Sequence, residues 1–229
     1  MKFGIIAAME EELKTLLLAL QDKEEVTVLG KTYYAGHIGQ HEVVLVQSGI
    51  GKVLSAMSVT ILAETFEVDA IINTGSAGAV SEGLAIGDVV IADRLVYHDV
   101  DVTAFGYAYG QMAGQELYYQ ADQTLMASLQ KVLNQQGIHN HVGLIATGDS
   151  FIAGQEKVDT IKHHFPEVLA VEMEGAAVAQ AAQAAGKPFL VIRAMSDTAQ
   201  GDANMSFEAF ILEAGKRSAQ TLLALLESY

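Results

Sequence analysis

Acids at the ends of apolar strands carry the first chemical signal in this chain. In VLAVEMEGAAVAQAAQAAG, Glu172 and Glu174 stand between Val168–Val171, which reads as a strand buried on both faces, and an Ala-rich helix that starts at Gly175. Burying a carboxylate without a partner is costly, so such groups are paired, solvated or in use. Glu10, Glu11 and Glu12 follow Met9 at the end of the first apolar strand, and Asp197 follows Ser196 in RAMSDTAQGD, residues Arg193–Asp202. Between them lie SGIGK (Ser48–Lys52), TGSAG (Thr74–Gly78) and TGDSFIAG (Thr147–Gly154). In open α/β sheets, ligands bind at the carboxyl ends of strands. Strand ends this small or this acidic suit a neutral or cationic polar ligand that backbone can approach closely.

Familiar glycine-loop chemistry does not fit. TGSAGAVSEG lacks the spacing of a dinucleotide fingerprint, and SGIGKV has Val53 where a phosphate loop needs Ser or Thr for magnesium. No metal site is expected. His139 and His141 share one face of a short strand and His163 and His164 end a helix, with no acid at ligand spacing, so they read as surface or helix-end residues.

The elements that must position these residues follow from periodicity. Strands are expected at Lys2–Ala8, Lys31–Ile38, Glu42–Gln47, Asp69–Asn73, His141–Thr147, Val168–Glu172 and Phe189–Ala194, with a long β region over Asp88–Val102. Helices are expected at Glu10–Gln21, from Lys52 to about Phe66, at Ala121–Gln136, Gln155–His164 and Gly175–Ala185, and from about Ser206. Apolar strands alternating with helices predict a mixed, largely parallel sheet covered on both faces, here in one domain over residues 1–229. Thr103–Leu117 (TAFGYAYGQMAGQEL) is the one loop of distinct composition, and its length marks it as functional or mobile.

Bulk properties exclude several classes of partner. Hydrophobic residues make up 51% of the 229, enough for a full core. The formal net charge of −15 repels nucleic acid and anionic membranes. Cysteine is absent, which rules out disulfides and a thiol nucleophile and fits a reducing cytoplasm. The start, MKFGIIAAMEEEL, is a poor signal peptide and a good first strand, and no apolar run approaches the length of a membrane span.

SGIGK, NTGSAG, TGDSFIAG, VEMEGAA and RAMSDTAQGD, in this order and spacing, closely resemble the bacterial 5′-methylthioadenosine/S-adenosylhomocysteine nucleosidases of the nucleoside phosphorylase superfamily. The resemblance runs from Met1 to the last helix and implies a nucleoside phosphorylase-like α/β fold. It implies cleavage of the N-glycosidic bond of adenine thionucleosides without a cofactor, in methionine salvage and supply of a quorum-signal precursor. Such a hydrolysis needs an acid for the departing purine, charge under the forming oxocarbenium ion and a base for water. By resemblance, Asp197 with Ser196 is the acid, Glu12 the base, and Glu174 the acceptor of the ribose hydroxyls, oriented by Arg193. For Glu172 two roles stay open: a strand-end acid satisfied by backbone or water, or a sugar-side group. Phe151 would stack on adenine and the backbone of Ile152 would read its edge. Ser76, Ala77, Gly78 and Met173 match ribose- or pocket-lining positions, and Met9, Ile50 and Phe207 an apolar channel for the alkylthio tail. Val102, Phe105 and Tyr107 match the segment with which family members complete a neighbour's tail pocket, which implies a homodimer. Gly4, Gly49, Gly75 and Gly78 read as turn or close-approach positions. A purine nucleoside phosphorylase is the alternative, though the arginines it would need for phosphate number only Arg94, Arg193 and Arg217 here. A non-catalytic purine sensor is the third reading, and it would leave a proton donor at Asp197 without purpose.

Overall fold

A computed structural model describes residues 1–199 and 203–229, and the side chains outside 200–206. Gln200–Asp202 of the RAMSDTAQGD motif, and the side chain of Ser206, lie outside the described residues. The strands are β1 (Lys2–Ala7), β2 (Gln21–Val28), β3 (Lys31–Ile38), β4 (His41–Gln47), β5 (Ala70–Ala79), β6 (Val89–Tyr97), β7 (Tyr119–Gln120), β8 (Asn140–Thr147), β9 (Val168–Glu172) and β10 (Phe189–Asp197). The helices are α1 (Glu10–Ala19), α2 (Lys52–Glu64), α3 (Gln123–Gln135), α4 (Gln155–His164), α5 (Gly175–Ala184) and α6 (Ala203–Ser228). No helix of the described residues is long and apolar enough to cross a membrane.

The strands form one mixed sheet in the order β10-β6-β8-β9-β5-β1-β4-β3-β2. β10 also pairs with β5, so β5, β9, β8, β6 and β10 close into a ring. Parallel pairing prevails at the centre, where strands buried on both faces need helices on either side. On one side, Leu13 and Leu16 of α1, Leu125, Leu129 and Leu133 of α3, and Leu222 and Leu225 of α6 pack on Phe3, Ile5 and Ile72. On the other, Val59 and Leu62 of α2 and Val178 and Ala182 of α5 pack on Ile6, Val44 and Ile71. A smaller cluster seats Val158, Ile161 and Phe165, from α4 and just past it, against Val96 and Leu144.

Two features differ from the sequence expectation and matter for the site. The first helix stops at Ala19, and QDKEEVTV then forms β2, an almost wholly exposed edge strand on β3. Its charges hide the alternation by which a strand is usually read, and they suit an edge that must not recruit another chain. TGSAG and MSD, expected as loops past strand ends, lie inside β5 and β10.

β5 has a divided allegiance. Ala70–Asn73 pair with β1, whereas Gly78 and Ala79 pair with β9. Since β1 ends at Ala7, the backbone of β5 between these two pairings is open on that side. The cavity lies in this gap.

Candidate active site

Glu12 fills the gap from below. It sits in the first turn of α1, 3% exposed, and one carboxylate oxygen accepts the N–H groups of Ala8 (2.9 Å) and Met9 (3.1 Å). This is a helix-start contact, because the carboxylate satisfies donors that have no intrahelical partner. Its other oxygen accepts the N–H and the hydroxyl of Ser76, both at 3.0 Å. The Ser76 N–H is thus a donor of the open edge of β5. Gly75 leaves the room required, since a Cβ there would stand 2.8 Å from Glu12 Oε1.

Asp197 closes the opposite wall. It is 2% exposed, and its oxygens accept the Ser196 hydroxyl (2.9 Å) and the Ala199 N–H (2.8 Å). A Cβ on Gly78 would come within 2.8 Å of Asp197 Oδ1. Gly75 and Gly78 are therefore strand glycines that make room for carboxylates, and neither is a turn position.

The two glutamates of EMEG separate in role. Glu172 accepts the Gly175 N–H (2.7 Å), the Glu174 N–H (3.1 Å), the Thr147 hydroxyl and the Arg193 guanidinium. Thr147 in turn accepts the Ala176 N–H at 2.8 Å. A carboxylate on the first amides of α5 meets both unpaired donors and the positive end of the helix. Glu174 accepts the Gly51 N–H at 2.8 Å, while its second oxygen lies 3.9 Å from Arg193. Arg193, expected to orient Glu174, lies within ion-pair distance of it and makes its close bonds elsewhere. The guanidinium is bonded to Glu172, to the Asn73 carbonyl (3.3 Å) and to the Asn73 side chain. The sugar-side role weighed for Glu172 does not agree with this set of bonds, which commits both of its oxygens.

A cavity of about 360 Å³ joins these groups. Glu12, Ser76, Ala77, Gly78, Met173, Glu174, Ser196 and Asp197 line it, and Glu172 reaches it. Met9, Ile50, Phe151 and Phe207 form its apolar mouth, with Ile50 53% and Phe151 41% exposed and the two phenylalanine rings edge to face at 5.5 Å. Ile152 is buried and faces a small adjoining recess shared with Phe151, Gly78 and Asp197. Arg193 is fully buried and does not line the cavity. Val102, Phe105 and Tyr107 are not brought to it within this chain, and Phe105 is 82% exposed.

Sequence reasoning missed Ala8 and Val171 in the lining, and the supports Asn73, Thr147 and Gly51. Asn73 was detectable as a polar residue closing an apolar strand. Gly51 (φ 98°) turns its N–H toward Glu174 in a backbone conformation that favours glycine.

A sequence model of the phosphorylase superfamily matches residues 2–227. The chain is 48% identical over 227 residues to a 5′-methylthioadenosine/S-adenosylhomocysteine nucleosidase of Geobacillus thermodenitrificans, covering 99% of this chain and 96% of that protein. The chain belongs to this nucleosidase family. Two solved nucleosidases carry the likeness into three dimensions. The S-adenosylhomocysteine nucleosidase from Streptococcus pyogenes, in complex with 5-methylthiotubericidin, is 67% identical with a TM-score of 0.98, over 99% of this chain and 96% of that one. The Streptococcus pneumoniae nucleosidase with the transition-state inhibitor MT-ImmA is 66% identical with a TM-score of 0.97, over 100% and 99% of the two chains. The resemblance and the α/β fold expected from the sequence are both borne out.

Burial sets the protonation of this nucleosidase pocket. It pushes the Glu12 and Asp197 carboxyls above their usual range, against the opposing pull of Arg193 on Glu12 and of the Ala199 and Ser196 donors on Asp197. Glu174 is raised from 4.5 to about 7 by burial and by the neighbouring charge of Glu172, partly offset by Arg193. The folded state therefore holds the Glu174 proton more tightly than the unfolded chain does. Its contribution to stability is complete below about pH 4.5 and is lost as pH rises through about 7, with a slope of at most about 1.4 kcal/mol per pH unit. Glu174→Gln removes this titration. Urea unfolding at pH 5 and pH 8 should show the variant gaining on the parent chain at the higher pH, and an unchanged difference would disprove the assignment.

Proposed function

We propose that this chain hydrolyses 5′-methylthioadenosine and S-adenosylhomocysteine, releasing adenine and the matching thioribose product. The supporting observation is the placement of three buried carboxylates around one cavity, each with a different neighbour set. Asp197, whose carboxyl burial pushes above its usual range, serves as the acid and donates its proton to the free imidazole nitrogen of adenine, so the base leaves neutral. The electrons of the C1′–N9 bond go to the purine. Glu174 has one oxygen held by Gly51 and the other turned toward Arg193 without a close bond, which leaves acceptor capacity for the ribose hydroxyls. Its charge also lies where the oxocarbenium ion forms. Glu12 takes a proton from water as the oxygen attacks C1′. Ser76 supplies the one rotatable donor on Glu12, so a water can take its place. Phe151 stacks on adenine, a contact worth roughly 1–3 kcal/mol for a base on an aromatic ring, and the backbone of Ile152 reads its edge. Met9, Ile50 and Phe207 receive the alkylthio tail at an exposed mouth that leaves room for longer substituents.

The phosphorylase reading finds little support. Among the described residues, no lysine or arginine lines the cavity. Arg193 is engaged by Glu172 and Asn73, and Arg94 by Asp93 and Glu167. Glu12 on the water side repels a phosphate dianion.

We place the working form as a cytoplasmic homodimer of one phosphorylase-like domain, with no nucleic-acid or membrane partner. Val53, Leu54 and Met57 are exposed along α2, beside an apolar groove of about 350 Å³ between α2 and α5 that Met112 and Val100 reach. Phe105, 82% exposed, projects from the same segment as Val100 and Met112, from which it can enter a neighbour's mouth. Sedimentation should give a dimer at micromolar concentration, and Phe105→Ala should raise KM. A fully active monomer removes this part of the reading.

Adenine release from methylthioadenosine in phosphate-free buffer with a chelator present should proceed at full rate. A rate rising in proportion to added phosphate, with ribose-1-phosphate products, would move the assignment to a phosphorylase.

Asp197→Asn keeps the shape of the site but removes the proton, so adenine nucleosides should slow by roughly a hundred- to ten-thousandfold. A nitrophenyl thioriboside, whose leaving group needs no proton, should lose far less. Equal losses on both substrates would make Asp197 structural.

A further inference from the structure

Asp88, His139 and His141 come together away from the cavity lining. Asp88 and His139 are 51 residues apart in sequence, so no acid stands at ligand spacing from these histidines, and it is the fold that brings one beside them. β6 and β8 run parallel with Val89 opposite Asn140 and Val90 opposite His141. The residue before β6 and the residues flanking Asn140 therefore arrive at one level. His139 and His141, two apart, point to the same side, with ring centroids 4.7 Å apart and nearly perpendicular.

Asp88 faces both rings. One oxygen lies 3.4 Å from His139 Nδ1 and the other 3.8 Å from His141 Nε2. One ligand atom from each of the three residues lies within 4.8 Å of the others. His141 Nε2 is buried and has no hydrogen-bond partner. Asp88 is fixed in place before any ligand arrives. Its side chain accepts the Ala85 N–H at 2.9 Å, and its carbonyl accepts the Met195 N–H at 2.9 Å.

Two imidazole nitrogens and a carboxylate oxygen with one side open to solvent match the three-protein-ligand pattern of zinc, in which water takes the fourth position. Ligands about 2.0–2.2 Å from a tetrahedral zinc stand roughly 3.3–3.5 Å from one another. The ligand atoms, all within 4.8 Å of one another, must draw together by side-chain rotation to meet that figure. Hard cations such as magnesium and calcium prefer all-oxygen shells and fit poorly. We propose that Asp88, His139 and His141 form a site for a zinc-class divalent cation that ties the start of β6 to the start of β8. The metal takes no part in the hydrolysis, and its effect is to brace the β6 backbone that holds Met195, two residues before Asp197.

Titrating the chelator-stripped full chain with zinc alone, in competition with a chromogenic chelator, should show one equivalent bound per chain and a rise in Tm at saturation. His139→Ala removes a side chain that is 71% exposed, and Asp88→Asn keeps an acceptor for Ala85, so both variants should fold. Each should bind zinc roughly tenfold or more weakly and lose the rise in Tm, while adenine release stays at the parent rate as the check on folding. Absence of stoichiometric binding would overturn the site. So would equal binding by both variants, which would place the zinc elsewhere, for instance at His163 and His164.

Discussion

The pocket hangs on the buried pair of Glu172 and Arg193. Such a pair adds little net stability, because desolvating two charges offsets their attraction. What it supplies is position. Through Glu172 the pair fixes the end of β9, the first amides of α5 and, by way of Thr147, the end of β8. Through the arginine it fixes Asn73 of β5, whose side-chain amide donates to the Ile6 carbonyl of β1 at 3.0 Å. The strand ends around the cavity thus share one polar knot. Removing either partner would leave an uncompensated buried charge, so the knot persists or fails as a unit.

With Glu172 fully engaged, Glu174 inherits a different environment two residues later. It feels the arginine at longer range and the repulsion of its neighbour at short range. Glu12 sits among backbone donors, and Asp197 beside a hydroxyl and one amide. Burial raises all three carboxyls, so what distinguishes them is the set of donors around each and the part of the cavity each faces.

Much of the layout is readable from the chain because periodic burial leaves a periodic pattern. α4 and β9 fall on the segments expected from Gln155–His164 and Val168–Glu172. The acids of the site are equally legible, since a carboxylate at the end of an apolar strand must find a partner, water or a ligand. Pairings are not. Nothing in the order of residues says that Arg193 bonds Glu172 in preference to Glu174, or that Asp88 lies beside His141, because both facts arise from strand register. β5 and β10 run longer than their glycine, serine and aspartate content suggests. Close approach to Glu12 and Asp197, a tertiary demand, overrides strand propensity there. Val102, Phe105 and Tyr107 show a third limit, for nothing around them within one chain accounts for an aromatic ring as exposed as that of Phe105.

The charged edge strand β2 also makes the two ends of the sheet respond differently to their surroundings. At the β10 end, pairing with β5 closes the ring, so the strand's hydrogen-bonding groups are engaged by backbone whatever the solvent contains. At the β2 end, Asp22, Lys23, Glu24 and Glu25 hold off other strands by charge and hydration. The first protection is geometric and indifferent to ionic strength. The second reaches only about 8 Å at physiological salt and less in brine. Backbone closure and surface repulsion thus guard opposite ends of one sheet, and only the latter varies with the medium.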